Sequence, residues 1–170
     1  MTFWNQMHAL FDLILISCLY FGFWIFSLEV LSPKFVLYLG LPFLVIFAVP
    51  VIIIHLNYYF VSAKTVYDIN DQYFVVIYKN KSVKYNIADI EKATIVMTPN
   101  KLSDSAVRSF PFENYYYIKL QLIDGKVLIM TSLQSRKIDK IVKDHFKEIE
   151  IVKIKNIFPL AKKVDLSLFK

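Results

Sequence analysis

Residues 35–54, FVLYLGLPFLVIFAVPVIII, contain no charged side chain. A chain with such a run must hide it in a core or give it to lipid. At about 1.5 Å per residue, a helix of this length reaches about 30 Å, the thickness of a bilayer's hydrocarbon core. The run reads as a spanning helix. Pro42 and Pro50 interrupt it, which such helices tolerate when the released carbonyls find partners. A second charge-free run, Leu13–Leu28, covers 16 residues. Leu10–Asp12 and Glu29–Leu31 extend it to spanning length and put its two acids at the ends, where they reach headgroups or water. No basic segment precedes this run and no small-residue cleavage site follows it, which argues against a signal peptide. It is apolar on every face, unlike a surface-lying helix. The link Ser32-Pro33-Lys34 leaves room only for a tight reversal. The expectation is an antiparallel hairpin, residues 10–31 and 35–56, with both termini on one side.

Lys and Arg close to the membrane are few: Lys34 in the link and Lys64 beyond the second helix. The wider count adds Lys79, Lys81 and Lys84 and places the C-terminal part in the cytoplasm. Trp4 before the first helix, and Tyr58, Tyr59 and Phe60 after the second, fit an interfacial aromatic belt. Asp12 and His55 read as interfacial residues at helix ends rather than as a proton pair. Cys18, the single cysteine, excludes an intrachain disulfide and reads as a buried, unreactive filler.

After residue 56 the composition changes. This part holds 19 Lys and Arg against 12 Asp and Glu, and its period becomes strand-like. Runs at 57–69, 72–79, 82–87 and 90–97 are rich in Tyr, Val, Ile and Thr, with turn signals at Asn70-Asp71 and Asn80-Lys81. Val83, Tyr85 and Ile87 share one face. Residues 114–123 alternate, with Ile118, Leu120 and Leu122 together, and Asp124-Gly125 joins them to 126–131 in the manner of a type I′ hairpin. Ile138, Ile141, Val142, Phe146 and Ile149 then follow a helical period among lysines, with Ser135 as N-cap. About six mostly antiparallel strands and one helix are expected, the helix covering the open end of a small curved sheet.

With the helix pair, then VYDINDQYFVVIYKNKSVKYNIADIEKATIV, then YYYIKLQLIDGKVLIMTSL and its helix, the chain resembles the bacterial pleckstrin-homology-like membrane proteins of the YcxB-like type. The resemblance implies a membrane α-helical hairpin followed by an α+β, mostly β, PH-like split barrel closed by a C-terminal helix. The corresponding division is a hairpin over 1–56, a PH-like domain over 57–150 and a tail over 151–170. It implies little about activity, because a fold does not carry a function. Phosphoinositide-binding PH domains have a basic first hairpin; here that turn is Asp68-Ile69-Asn70-Asp71-Gln72, which argues against specific inositol-phosphate binding. Lys79, Lys81 and Lys84 cluster at the next hairpin, where they could meet anionic headgroups.

Catalysis is not expected. Outside the first third the sole histidine is His145, and of its helical neighbours only Glu148 is a metal-ligand type, so no metal set forms. Asp89 and Glu91 flank a strand, no glycine-rich phosphate loop or nucleophile elbow exists, and no cofactor is implied. Acids interleave the basic residues near 137–144, unlike a nucleic-acid stripe. The stretch 98–113, TPNKLSDSAVRSFPFE, has no period and carries Lys101, Arg108, Phe110 and Phe112, a mixture suited to a protein partner or a headgroup layer. The expected function is a membrane-anchored scaffold binding a protein partner at the bilayer surface, in a bacterial inner membrane. The alternatives are a sensor of anionic lipid and an immunity or accessory protein of a membrane complex.

Overall fold

The computed structural model describes residues 2–28, 34, 36–103 and 110–162. Helix α1 (Phe3–Leu28) and helix α2 (Leu37–Ser62) are each long and apolar enough to cross a bilayer. They run antiparallel. Tyr20 stacks on Phe43 at 4.5 Å, and its hydroxyl donates to the Leu39 carbonyl at 3.0 Å. Much of the Ser32-Pro33-Lys34 link falls outside the described residues. Both prolines follow a π-helical turn: Val36–Gly40 precedes Leu41–Phe43, and Leu44–Ala48 precedes Val49–Ser62. Proline lacks an N–H and crowds the carbonyl four residues back, so a widened turn lets the helix continue.

α1 begins seven residues before the expected start, and α2 continues past the expected end at residue 56 to Ser62. Residues 57–62 look strand-like but are helical. They extend a helix already nucleated, and Tyr58 and Ser62 are buried against the sheet, so packing overrides propensity. Cys18 faces outward from α1 rather than into a core.

Strands β1 (Thr65–Ile69), β2 (Tyr73–Tyr78) and β3 (Lys81–Asn86) form an antiparallel meander. A second sheet has the order β6-β5-β4-β7, from β4 (Ile90–Met97), β5 (Tyr117–Leu122), β6 (Val127–Thr131) and β7 (Glu150–Lys155). The type I′ turn is not at Asp124-Gly125 but at Lys79-Asn80, whose φ values are +46° and +68°. The β5–β6 hairpin forms where expected, yet only Gly125 takes a left-handed φ, +82°. Gly125 N donates to Leu122 O and Leu122 N to Lys126 O, both at 2.9 Å, closing a three-residue loop. The Asp124 carboxylate accepts from the Lys126 backbone N–H at 3.0 Å and ammonium at 2.7 Å, which lowers its pKa.

Helix α3 (Pro99–Leu102) is one turn, and helix α4 (Ile138–His145) is shorter than its apolar period. Lys137, not Ser135, is its N-cap; the Ser135 hydroxyl accepts from the Lys137 N–H at 3.3 Å. Phe146 ends the helix but stays buried, and Ile149 still packs on the core. The chain then returns as β7, a seventh strand parallel to β4, so residues read as the start of a tail belong to the sheet. Its charged Glu150, Lys153 and Lys155 suit an edge strand.

One apolar core lies between the two sheets and α4. Phe74 and Val76 meet Ile95, Ile118, Leu120, Leu122, Leu128 and Met130, with Ile138, Val142 and Phe146 over them. Alternation along β5 and β6 points Tyr117, Val127 and Ile129 the other way, into a second core. There they meet Val51, Ile54 and Tyr58 of α2, with Ala9, Leu10 and Leu13 of α1 alongside.

Burial drives several tyrosines upward in pKa. Tyr67, Tyr115 and Tyr116 all stay protonated well above the ordinary tyrosine range, with desolvation the largest cause in each. In the unfolded chain they ionise near about pH 10. Their contribution is therefore complete below that pH and is lost as pH rises through the folded values. We expect the urea midpoint, followed by circular dichroism, to fall as pH climbs past about 10, and Tyr67→Phe to shallow that fall. An unchanged slope would refute this role for Tyr67.

Candidate functional site

Where the helices meet the second sheet, polar side chains bridge a mostly apolar seam. The 3-10 turn Pro111–Asn114, just before β5, supplies two adjacent bridging positions. The Asn114 amide donates to the Asp12 carboxylate on α1. Next to it, the Tyr115 hydroxyl lies 2.9 Å from Nδ1 of His55 on α2. Asp12 and His55, two ionisable groups of the apolar third, are thus engaged by consecutive residues, Asn114 and Tyr115. Further along α2, Asn57 makes a reciprocal pair with Ala161, donating from Nδ2 at 3.0 Å and accepting the Ala161 N–H at 2.8 Å. The Tyr58 hydroxyl donates to the Pro159 carbonyl at 2.8 Å, and the Ser62 and Thr131 hydroxyls lie 2.8 Å apart. At the start of α1, the Asn5 amide donates to the Gln134 carbonyl at 2.9 Å. Each bond satisfies a polar group that burial would otherwise penalise by about 1–3 kcal/mol.

Lys79, Lys81 and Lys84 are exposed on the β2–β3 hairpin, as a surface contact requires. Two have aromatic support: the Lys84 ammonium sits 3.6 Å from the Tyr73 ring centroid, and Lys79 sits 5.6 Å from that of Tyr78. Register pairs Tyr78 with Thr65, so this turn lies at the end of the meander nearest the exit of α2. The acidic turn at Asp71 lies at the opposite end, where its carboxylate meets His145 at 2.7 Å. His145 therefore pairs across the fold, with Asp71.

The stretch 98–113 has structured ends. Thr98 and Asn100 bond to the carbonyl and carboxylate of Glu113 at 3.3 Å and 2.9 Å. Phe110 and Phe112 stack at 5.2 Å, but Phe112 is buried against Phe158 and so is internal packing rather than a contact surface. Phe110 is partly exposed and touches Phe47 of α2. The Lys101 ammonium lies 5.4 Å from the Tyr116 ring centroid. Arg108 lies outside the described residues. Of the expected interfacial aromatics, Trp4 and Phe60 are widely exposed and Tyr59 partly so, whereas Tyr58 is fully buried in the seam.

Asp89 and Glu91 have structural partners: Asp89 caps its own turn by accepting the Asn86 N–H at 2.8 Å, and Glu91 accepts from Gln121 at 2.9 Å. Among the described residues no three His, Cys, Asp or Glu converge as a metal set. Sequence reasoning left Arg136 and Lys137, which border Lys101 in space, unassigned. They lie some 35 residues from it in the chain, so no local pattern joins them.

The family model of the PH domain matches residues 1–135, a span that includes both helices and the strands through β6. No curated protein and no solved structure matches the chain.

Two outcomes follow from the seam. Residues 63–162 expressed without the helices uncover Tyr115, Ile129 and Leu133, so this fragment should aggregate in plain buffer while the full chain is monodisperse in detergent, as size-exclusion chromatography would report. A monodisperse, folded fragment would contradict the second core's importance. Asn57→Ala should release the segment after β7 and speed tryptic cleavage after Lys155, leaving the strand signal in circular dichroism unchanged. Equal cleavage rates would show that Asn57 does not hold the segment.

Proposed function

The chain belongs to the PH-domain family, and on that footing we propose that it is a membrane-anchored interaction module, not an enzyme, that binds a membrane-protein partner at the bilayer surface. PH-like domains are generally non-catalytic interaction or scaffold modules. The observation that carries the anchored reading is the second core. It seats the sheet domain on the same two helices that are long and apolar enough to enter lipid. In this reading the hairpin spans a bacterial inner membrane, the sheet domain faces the cytoplasm, and the finer kinship is with the YcxB-like type.

A domain seated this way has no long linker, so its surface is offered at a fixed height and angle. Fixing orientation reduces the freedom lost on association, and sharing a membrane raises the local concentration of a neighbour. The contact surface we assign is the β2–β3 hairpin, where Lys79, Lys81 and Lys84 stand exposed. An acidic face on a membrane protein is the complement such a surface calls for.

The test is affinity capture of the full chain in mild detergent, with mass spectrometry, beside alkaline extraction of its membranes. The chain should stay with the membrane and retain a stoichiometric membrane-protein partner. Changing Lys79, Lys81 and Lys84 together to Glu should cut that retention by about tenfold or more. Release from the membrane at alkaline pH would defeat the anchoring. Retention unaffected by the three substitutions would move the contact elsewhere and defeat the assignment of the hairpin.

A further inference from the structure

A hydrocarbon core is about 30 Å thick and takes about 20 helical residues to cross. Among the described residues, the contacts that join α2 to the sheet domain start at Phe47, whose ring lies 5.9 Å from that of Phe110. Val51, Ile54 and Tyr58 follow in the second core, and His55 and Asn57 bond to Tyr115 and Ala161. Residues 37–46 precede these contacts, and ten residues at about 1.5 Å each make only about 15 Å. α1 repeats the pattern. Ala9, Leu10 and Leu13 lie in the second core, and the stretch beyond them, 14–28, is about 22 Å long. Neither helix crosses a bilayer on the length that stands beyond the sheet domain. Counted from Leu37, about 20 residues end near Leu56. A spanning α2 therefore carries residues 47–56, and whatever packs on them, below the membrane surface.

What packs there is apolar at its surface. Phe110 and Phe112 stack at 5.2 Å, and Phe112 meets Phe158 at 5.9 Å, so an aromatic row leads from Phe47 to the segment after β7. That segment lies along α2. Tyr58 donates to the Pro159 carbonyl at 2.8 Å, Asn57 holds Ala161, and the Asn156 side chain accepts the Phe158 N–H at 3.0 Å. Phe158 packs in the second core, while its neighbours Ile157 and Leu160 are 74% and 41% exposed. Phe110, at the other end of the row, is 37% exposed. Over residues 110–115 and 156–161 the one charged side chain is Glu113, which is buried and accepts from the Asn100 amide at 2.9 Å. Lys155 and Lys162 bracket the second stretch, and lysine stems at an interface carry their ammonium groups out to the headgroup level.

We propose that the sheet domain is partly sunk into the bilayer. The turn at Phe110 and the segment 156–161 form an apolar foot, with Ile157 and Leu160 in contact with acyl chains. The inference rests on the anchored reading and adds a depth to it. The occupant of this surface is hydrocarbon at the membrane boundary, entered without recognition of any headgroup. Removing the two large aliphatic side chains from water favours the insertion, and the bonds from Asn57 and Tyr58 fix its level against α2. The segment 156–161 lies outside residues 1–135, the span that the PH-domain model matches.

The test reconstitutes the full chain in vesicles of phosphatidylcholine and phosphatidylglycerol. Cys18→Ser removes the native thiol, and Ile157→Cys, Leu160→Cys, Ile123→Cys and Val45→Cys, made one at a time on that background, each carry an environment-sensitive fluorophore. Ile123, 69% exposed, follows β5 at the end away from Tyr117 and α2, and is the water-facing reference. Val45, 57% exposed and within residues 37–46, reports on the span itself. Lipid-borne nitroxides, placed near the headgroup or near the chain end, read the depth of each label. Labels at the Ile157 and Leu160 positions should emit to the blue of the reference and be quenched, more by the shallow nitroxide, at a depth of about 5–10 Å. The label at Ile123 should escape quenching. Quenching at Val45 with Ile157 and Leu160 behaving like Ile123 would overturn the foot and leave the span standing. Absence of quenching at Val45 would overturn the span and this proposal with it. All four positions are exposed, and Ile157 and Leu160 read the same surface, so the loss of one variant to misfolding leaves the other to decide.

Discussion

Where β5 and β6 meet the helices the sheet has to be dry on both faces, and the rest of the molecule is arranged around that requirement. An antiparallel sheet commonly buries one face and wets the other. Here Ile118, Leu120, Leu128 and Met130 face the meander and α4, while Tyr117, Val127 and Ile129 face the helices. Fully burying one such aliphatic side chain is worth about 1.5–3 kcal/mol, so neither face can be left to water without a large cost. The helices are therefore part of the folded unit, which agrees with a PH-domain match that begins at residue 1.

Apolar contact alone would hold the helices to the sheet without choosing one position. The polar bridges supply that choice. Asp12 has one partner in Asn114, His55 one in Tyr115, and Asn57 can satisfy both of its amide groups only where Ala161 passes. Sliding α1 by a turn would separate the first pair, and sliding α2 by a turn the other two, leaving polar groups without these partners. Their contribution is to specificity more than to net stability, because each bond largely replaces one made to water.

Much of the architecture was readable from the chain. Two charge-free runs marked the helices, and strict alternation at Ile118, Leu120 and Leu122 marked β5 and its inward face. The Asp124-Gly125 pair marked a hairpin, though its turn type was misread because only the glycine adopts a left-handed φ. What could not be read depended on distant contacts. Residues 57–62 have strand-forming side chains, and only burial of Tyr58 and Ser62 on the sheet accounts for their helical state. Ile149 keeps the helical spacing although the helix has already ended, so the period overran the element. β7 alternates weakly and is paired on one side only. The lysine cluster on the β2–β3 hairpin was visible because its members are close in sequence. The grouping of Lys101 with Arg136 and Lys137 was not, since two segments distant in the chain bring it together.

The span of the seam contacts bears on how the chain is made. Asn114 follows Asp12 by 102 residues, and Ala161 follows Asn57 by 104. During synthesis the helices emerge with these polar groups still waiting for their counterparts. Until the last strand and the segment beyond it leave the ribosome, water, lipid headgroups or a chaperone must serve as temporary hosts. Contacts of such separation also slow assembly, because the chain between them must be ordered before they are rewarded. A transcript cut short after β6 would consequently release a protein with its helices intact and Asn57 still without its counterpart.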